Sequence, residues 1–260
     1  MSSRPPVLVV GDVQGDVERL REALAPFPED EVLTVFLGDF VQGGEPGAAG
    51  GVAAARLARA RRNSASVLGN HDVLLLCVLE EQRTGTPDFY RHRHGETARV
   101  ADIWRHRRGD WADLRELRDD PGLEAWLRSL PLLHKLDDGT LAQHCDDDRY
   151  AELGGSVDEV NRAAGALLGR PGGVWDVFPY TVGRHAFASA ERLDRHLRHF
   201  GATRVIHGHT PHRAERPQAS HQGRVWSFDG RFSRYWAPDE PWDTGPIEAT
   251  VALLPELHAA

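Results

Sequence analysis

Short apolar runs at 7–10, 32–37 and 66–68 each end in a polar, glycine-containing turn: GDVQGD, GDFVQGG and GNHD. Apolar runs bounded by turn residues read as buried strands. A stretch with helical spacing follows each turn, at 17–24, 52–62 and 73–81. Strand, turn and helix in repetition predict an α/β fold. In such folds ligands gather beyond the carboxyl ends of the strands, where these turns lie.

The middle, 83–130, differs: it is rich in Arg, His, Asp and Trp at helical spacing and reads as a helical, cap-like insertion. Its last helix ends before Pro131, since a proline disfavours helix in the residue before it. A hairpin follows, 132–136 and 140–144, turned by Asp138-Gly139. A helix over 156–168 has Ser156 as N-cap and Glu159 three residues on. A helix at 193–200 and strands at 204–207, 224–228 and 249–254 complete the pattern, with no repeat and no low-complexity tract. The reading is one domain over 1–260 with the insertion inside it.

Composition narrows the class. With 40% hydrophobic and 27% charged residues the chain resembles an ordinary soluble domain, long enough to bury a large core. A formal net charge of -8 gives no general attraction to nucleic acid or anionic membrane, so neither is an expected partner. Cys77 and Cys145 make no disulfide framework, and no apolar run reads as a secretory signal or a membrane span. A cytoplasmic location is the expectation.

Candidate chemistry collects at the strand ends. Asp12, Asp39, Asn70, His71, His144 and His209 all fall at or just beyond predicted strands. Singly, each has an ordinary explanation: an aspartate after a strand often caps a helix, and GNHD can be a turn. Together they supply carboxylate, amide and imidazole, a set suited to Mn, Fe or Zn. The two oxygens of Asp39 can bridge a pair of ions, and such a pair can hold a hydroxide and neutralise a phosphoryl group.

The ordered motifs GDVQGD, GDFVQGG, GNHD, QHC and HGHT resemble the signature of calcineurin-like metallophosphoesterases. The phosphoprotein-phosphatase branch of that family reads roughly GDxHG, GDxVDRG, GNHE, HGG or HAG, then GHT. The resemblance runs over residues 7–235 and is weakest in the middle insertion. It implies a four-layer αββα fold with metals at the carboxyl edge of the sheets. By position it implies that Asp12 and Asp39 bind a first metal beside Gln14. Asp39, Asn70, His144 and His209 would bind a second. Asn70 would also touch phosphate, and His71 would protonate the leaving oxygen. Arg184, in GRHAF, matches an arginine that grips phosphate, where a guanidinium meets two oxygens at once.

Several positions depart from that pattern. Gln14 stands where most of the family has histidine, although symmetrical diadenosine tetraphosphatases resemble this chain in carrying glutamine there. An amide oxygen is a harder, weaker ligand and favours Mn or Mg over Zn. Gln42 replaces the aspartate that orients the catalytic histidine, and Gly43 replaces a phosphate-binding arginine. Arg231 is one candidate to replace it. Others are the run of Arg91, His92, Arg93, His94, Arg105, His106, Arg107 and Arg108, which reads either as a solvated helix face or as a basic lid. Asp146, Asp147 and Asp148 read as a loop and helix start, and His207 as structural.

The expected function is a metal-dependent phosphomonoesterase acting on a phosphoprotein or a small metabolite. Two divalent ions are expected as cofactors, Mn foremost, with Fe, Zn or Mg as alternatives. A hydroxide bridging them would attack phosphorus while His71 acts as general acid. A dinucleoside-polyphosphate hydrolase is the second reading, and a non-catalytic metal-binding member of the fold is the third.

Overall fold

A computed structural model describes residues 5–87, 89–91, 97–235 and 244–254. The side chain of Arg91, together with His92, Arg93 and His94, lies outside the described residues. The branched run Val7–Val10 forms β1, since such side chains pack well on a pleated surface. It pairs in parallel with β2 (Leu33–Phe36), which pairs in parallel with β3 (Ser64–Ser66). The first helices follow as α1 (Val17–Leu24), α2 (Gly50–Ala60) and α3 (Asn70–Thr84).

The strand expected at 66–68 lies earlier, at Ser64–Ser66. Val67 and Leu68 are fully buried past the ladder, where the Leu68 amide donates to Pro131 O at 2.9 Å. Helix α3 starts before the expected residue 73 because the Asp72 carboxylate caps it, accepting from Gly69 N at 3.1 Å. Residues 73–79 are all buried, so this helix shows little amphipathic period in sequence.

The middle segment holds a short hairpin, β4 (Phe89–Arg91) with β5 (Thr97–Arg99), not included in the helical reading. Helices α4 (Val100–His106), α5 (Trp111–Arg118) and α6 (Pro121–Ser129) follow. Their Trp104, Leu114, Leu117 and Leu123 join the same buried cluster as Leu8 and Phe36.

The second sheet contains β6 (Leu133–Lys135), β7 (Thr140–Gln143), β8 (Arg204–His207), β9 (Gln218–Ser220) and β10 (Val225–Ser227), in the order β6-β7-β8-β10-β9. Its helices are α7 (Val157–Leu168), capped by Ser156 as expected, the short α8 (Val174–Val177), and α9 (Ala190–Phe200). The last strand, β11 (Val251–Leu253), returns antiparallel to β1.

Strand alternation explains the layering. Val9, Val35, Ala142, Ile206 and Phe228 form one cluster between the sheets. Leu8, Val10 and Phe36 face the opposite way, towards α1 to α3. Val205 and Val225 face Leu193 and Leu197 of α9. The result is a four-layer αββα fold in which parallel strands of both sheets end at one edge.

Candidate metal centre

Turns at that edge open into a cavity of about 330 Å3, lined by Asp12, Gln14, Asp39, His71, Arg184 and His209 among others. Asp12 and Gln14 follow β1, Asp39 follows β2, and Asn70 and His71 open α3 beyond β3. His144 follows β7 and His209 follows β8. The structure therefore brings every sequence-predicted site residue to one edge. His144 and Asn70 stand behind the cavity wall, buried.

Gln14, Asp39, Gln42 and His209 all have positive φ, between 47° and 68°. Ordinary side chains avoid this region, and such strain collects at functional sites. Bonds between the turns hold it here. The Asp39 carbonyl accepts from Val13 N and Gln14 N at 3.1 and 2.9 Å, and the Asp39 amide donates to Asp72 Oδ2 at 2.9 Å. Asp39 Oδ1 accepts from His71 N at 2.8 Å, and Asp12 Oδ1 accepts from His209 N at 2.9 Å.

The remaining polar atoms fit a cation. His144 Nδ1 donates to Leu37 O at 2.8 Å, which leaves a lone pair on Nε2. That lone pair faces Asn70 Oδ1 at 2.9 Å and Asp39 Oδ2 at 3.5 Å. Asp39 Oδ2 is buried and has no hydrogen-bond donor among the described residues. Ligand atoms of Asp39, His144 and His209 lie within 4.8 Å of one another. Acceptors thus converge on acceptors, an arrangement that a divalent ion resolves.

The titration behaviour follows. Burial pushes the Asp12 carboxyl well above its ordinary range, helped by Asp229 and Asp39. Burial does the same to Asp39, helped by Asp72. Burial pushes His144 down to about 3 and holds His209 well below the usual histidine range. Neutral imidazole is the form that binds metal.

His71 lies beside this cluster, with Nε2 3.8 Å from Asp39 Oδ2. Gln42 Oε1 bonds its Nδ1, so Gln42 holds the ring as the replaced aspartate would, without the charge. Arg184 is exposed, and its Nε donates to His209 Nε2 at 3.1 Å. That lone pair can take a metal only when Arg184 releases it.

Two buried acids went unnoticed as site residues in the sequence. Asp229 follows β10 and lines the cavity at 3% exposure, with its carboxyl pushed up to about 6 by burial. The signal was there: it stands just past a strand, as Asp12 and Asp39 do. Asp72 is the last residue of GNHD, and its carboxylate takes the amides of Asp39 and Phe40 at 2.9 and 3.0 Å. By contrast Asp147 and Asp148 pair with Arg149 and Arg192, and Asp146 accepts from Thr210 Oγ1 at 2.8 Å. These acids serve the loop, as the sequence suggested.

The sequence matches the calcineurin-like phosphoesterase family over residues 5–213. No curated protein matches it. Among solved structures, the fold is similar to a cold-active protein-tyrosine phosphatase of a psychrophilic Shewanella species. The two share 18% identity and a TM-score of 0.61, over 97% of this chain and 81% of that one. It is also similar to a protein serine/threonine phosphatase from Saccharomyces cerevisiae, with 13% identity and a TM-score of 0.51, over 87% of this chain and 67% of that one. The chain belongs to the calcineurin-like phosphoesterase family and is a metal-dependent phosphoesterase.

Proposed function

We propose that this phosphoesterase hydrolyses phosphomonoesters at a two-ion centre, with His71 as the acid for the leaving oxygen and Arg184 as the phosphate clamp. The observation that carries the reading is the buried Asp39 Oδ2, which has no hydrogen-bond donor among the described residues and is set against the His144 Nε2 lone pair behind the cavity wall. Asp12, Gln14 and Asp39 would hold the first ion. Asp39, Asn70, His144 and His209 would hold the second. Bound there, divalent ions supply an activated water nucleophile and neutralise the phosphoryl oxygens.

The chain's own residues do the rest. Gln42 accepts from His71 Nδ1–H, so the neutral ring has its lone pair on Nε2, and only the imidazolium carries a transferable proton on that atom, the one nearer the metal cluster. Burial holds the ring well below the usual histidine range, so a bound phosphate dianion would be what favours the charged form. The Arg184 guanidinium, exposed at the cavity, can meet two phosphate oxygens in one plane. The amide of Gln14 makes the first site the weaker and favours Mn or Mg. Substrates in reach are phosphoproteins and small phosphorylated metabolites.

The test is metal-free protein reloaded with Mn, Mg, Fe or Zn and assayed on p-nitrophenyl phosphate and a phosphopeptide. Metal-dependent release of phosphate is the expected result. Inactivity on both substrates with all four metals would sink the reading.

A further inference from the structure

Among the described residues five arginines line the cavity, and the structure gives them different duties: Arg107, Arg108, Arg184, Arg231 and Arg234. Arg234 pairs with Asp16 through Nε and Nη2 at 2.8 and 2.7 Å. The Nε of Arg231 donates to His212 O at 3.0 Å, and Arg108 Nη1 donates to Tyr235 O at 3.2 Å. Arg184 is tied to His209. The guanidinium of Arg107 is exposed and donates to no acceptor among the described residues.

Arg107 is nevertheless held in place by its backbone. It caps the C-terminus of α4, its amide donating to Ile103 O at 2.9 Å. That helix end docks on the turn after Asp39: Gln42 Nε2 donates to Trp104 O at 2.9 Å, and Gly43 N donates to Arg108 O at 3.4 Å. Ser233 Oγ, donating to Gly43 O at 2.7 Å, closes the other side of the turn. The residue that binds the His71 ring is therefore the one that anchors α4.

The two least committed cations reach the cavity from different elements. Arg184 bonds His209 at the metal cluster. Arg107 follows α4, the helix end that Gln42 ties to the His71 ring, and it lines the cavity together with His71. If His71 protonates the departing oxygen, the departing group lies on the side of the cavity that the end of α4 closes.

We propose that Arg107 binds an anionic group carried by the leaving portion of the substrate, so the preferred substrate is a phosphate ester whose leaving group is itself anionic. The inference rests on the phosphoesterase reading and the role of His71. In the reaction, water forms the new bond to phosphorus while the ester P–O bond breaks. The leaving oxygen takes the Nε2 proton of the His71 imidazolium, the attacking water gives up a proton that restores the balance, and Arg107 keeps its charge throughout. A second phosphate or a carboxylate meets the guanidinium fork in the same planar way.

The experiment compares phenyl phosphate, p-carboxyphenyl phosphate and p-phenylene bisphosphate on metal-loaded wild type and Arg107→Gln. A charge-assisted hydrogen bond corresponds to a factor of roughly ten or more. Wild type should favour at least one anionic substrate over phenyl phosphate by about tenfold in kcat/KM, and Arg107→Gln should lower that ratio by a similar factor. Loss on the bisphosphate alone assigns phosphate, and loss on the carboxylate as well assigns anions generally. Arg107→Lys should keep part of the preference. An unchanged ratio in Arg107→Gln overturns the inference, including the case where all three substrates slow equally because Arg107 grips the transferred phosphate. Wild type inactive on all three overturns the phosphoesterase reading, and this inference with it.

Discussion

Gln42 bonds His71 with one end of its amide and the backbone of Trp104 with the other, the latter at 2.9 Å. Because its Nε2 must donate to the Trp104 carbonyl, its oxygen must face His71 Nδ1, which fixes the tautomer of the ring. Gln42→Leu would leave a buried imidazole N–H without an acceptor, a loss of about 1–3 kcal/mol. Turnover of substrates with poor leaving groups should fall about ten- to a hundredfold. p-Nitrophenyl phosphate, which needs little protonation, should be affected much less. Equal loss on both kinds of substrate would separate Gln42 from proton transfer.

His71→Asn should lower turnover of poor leaving groups by about 10² to 10⁴, the usual scale for general acid catalysis. Metal content, measured by elemental mass spectrometry after dialysis, should hardly change if the His71 ring serves as the proposed acid and not as a ligand. Metal lost from the variant would make His71 a ligand instead.

The metal cluster predicts its own stability effect. Asp12, Asp39 and Asp229 are buried, at 1%, 1% and 3% exposure, and a bound cation relieves their mutual repulsion. An ion at about a hundred times its Kd should stabilise the fold by about 2.7 kcal/mol, visible as a rise in Tm. Asp39→Ala should abolish that rise. Gln14→His should tighten the first ion specifically, and equal, tight occupancy of both sites in wild type would contradict the weak-site argument.

Much of this was legible because strand ends are written in local sequence. β1, α1 and β8 lie at the residues their patterns predicted, and Ser156 caps α7 through Glu159 N at 3.3 Å. What escaped depends on packing across the chain. Asp72 looks like a turn residue until Asp39 and Phe40, more than thirty positions away, donate to it. Asp229 stands visibly just past a strand, but only the pairing of β10 with β8 brings that strand end to the cavity beside Asp12 and Asp39. The part of the basic run at 105–108 splits by geometry alone, since Arg105 stacks 5.5 Å over Trp111 while His106, Arg107 and Arg108 line the cavity.

Two glycines separate site geometry from fold stability. A Cβ on Gly208 would sit 2.1 Å from Asp12 Oδ1, while a Cβ on Gly165, within α7, would meet nothing within 4 Å. Gly208→Ala should displace the Asp12 carboxylate and weaken metal binding. Gly165→Ala should raise stability by about 0.5–1 kcal/mol through helix propensity alone. Dialysis followed by metal analysis, with urea unfolding alongside, checks both. Full metal content in Gly208→Ala would show that the Asp12 position is not needed.

Acid stability should depend on His196, remote from the metal cluster. Its Nε2 donates to Gln143 Oε1 at 2.8 Å, and Gln143 is held in that orientation by donating to Cys145 O and Asp147 O. Its Nδ1 is buried without a partner among the described residues, between the rings of Tyr150, Phe187 and Phe200. Burial lowers its pKa from 6.5 to about 4, against an upward pull from Asp148 and with a further push from His199. Asp148 is paired with Arg192, which weakens that pull. The folded state therefore favours neutral His196, and the unfolded chain binds the extra proton between those two values. Its contribution is fully present above pH 6.5 and is lost as pH falls through about 4, to a total on the order of 3 kcal/mol. His196→Gln keeps a donor for Gln143 but does not titrate. Urea unfolding from about pH 7.5 down to about pH 4.5 should show a shallower loss of stability in the variant. Parallel curves would mean that His196 is not a source of the acid sensitivity.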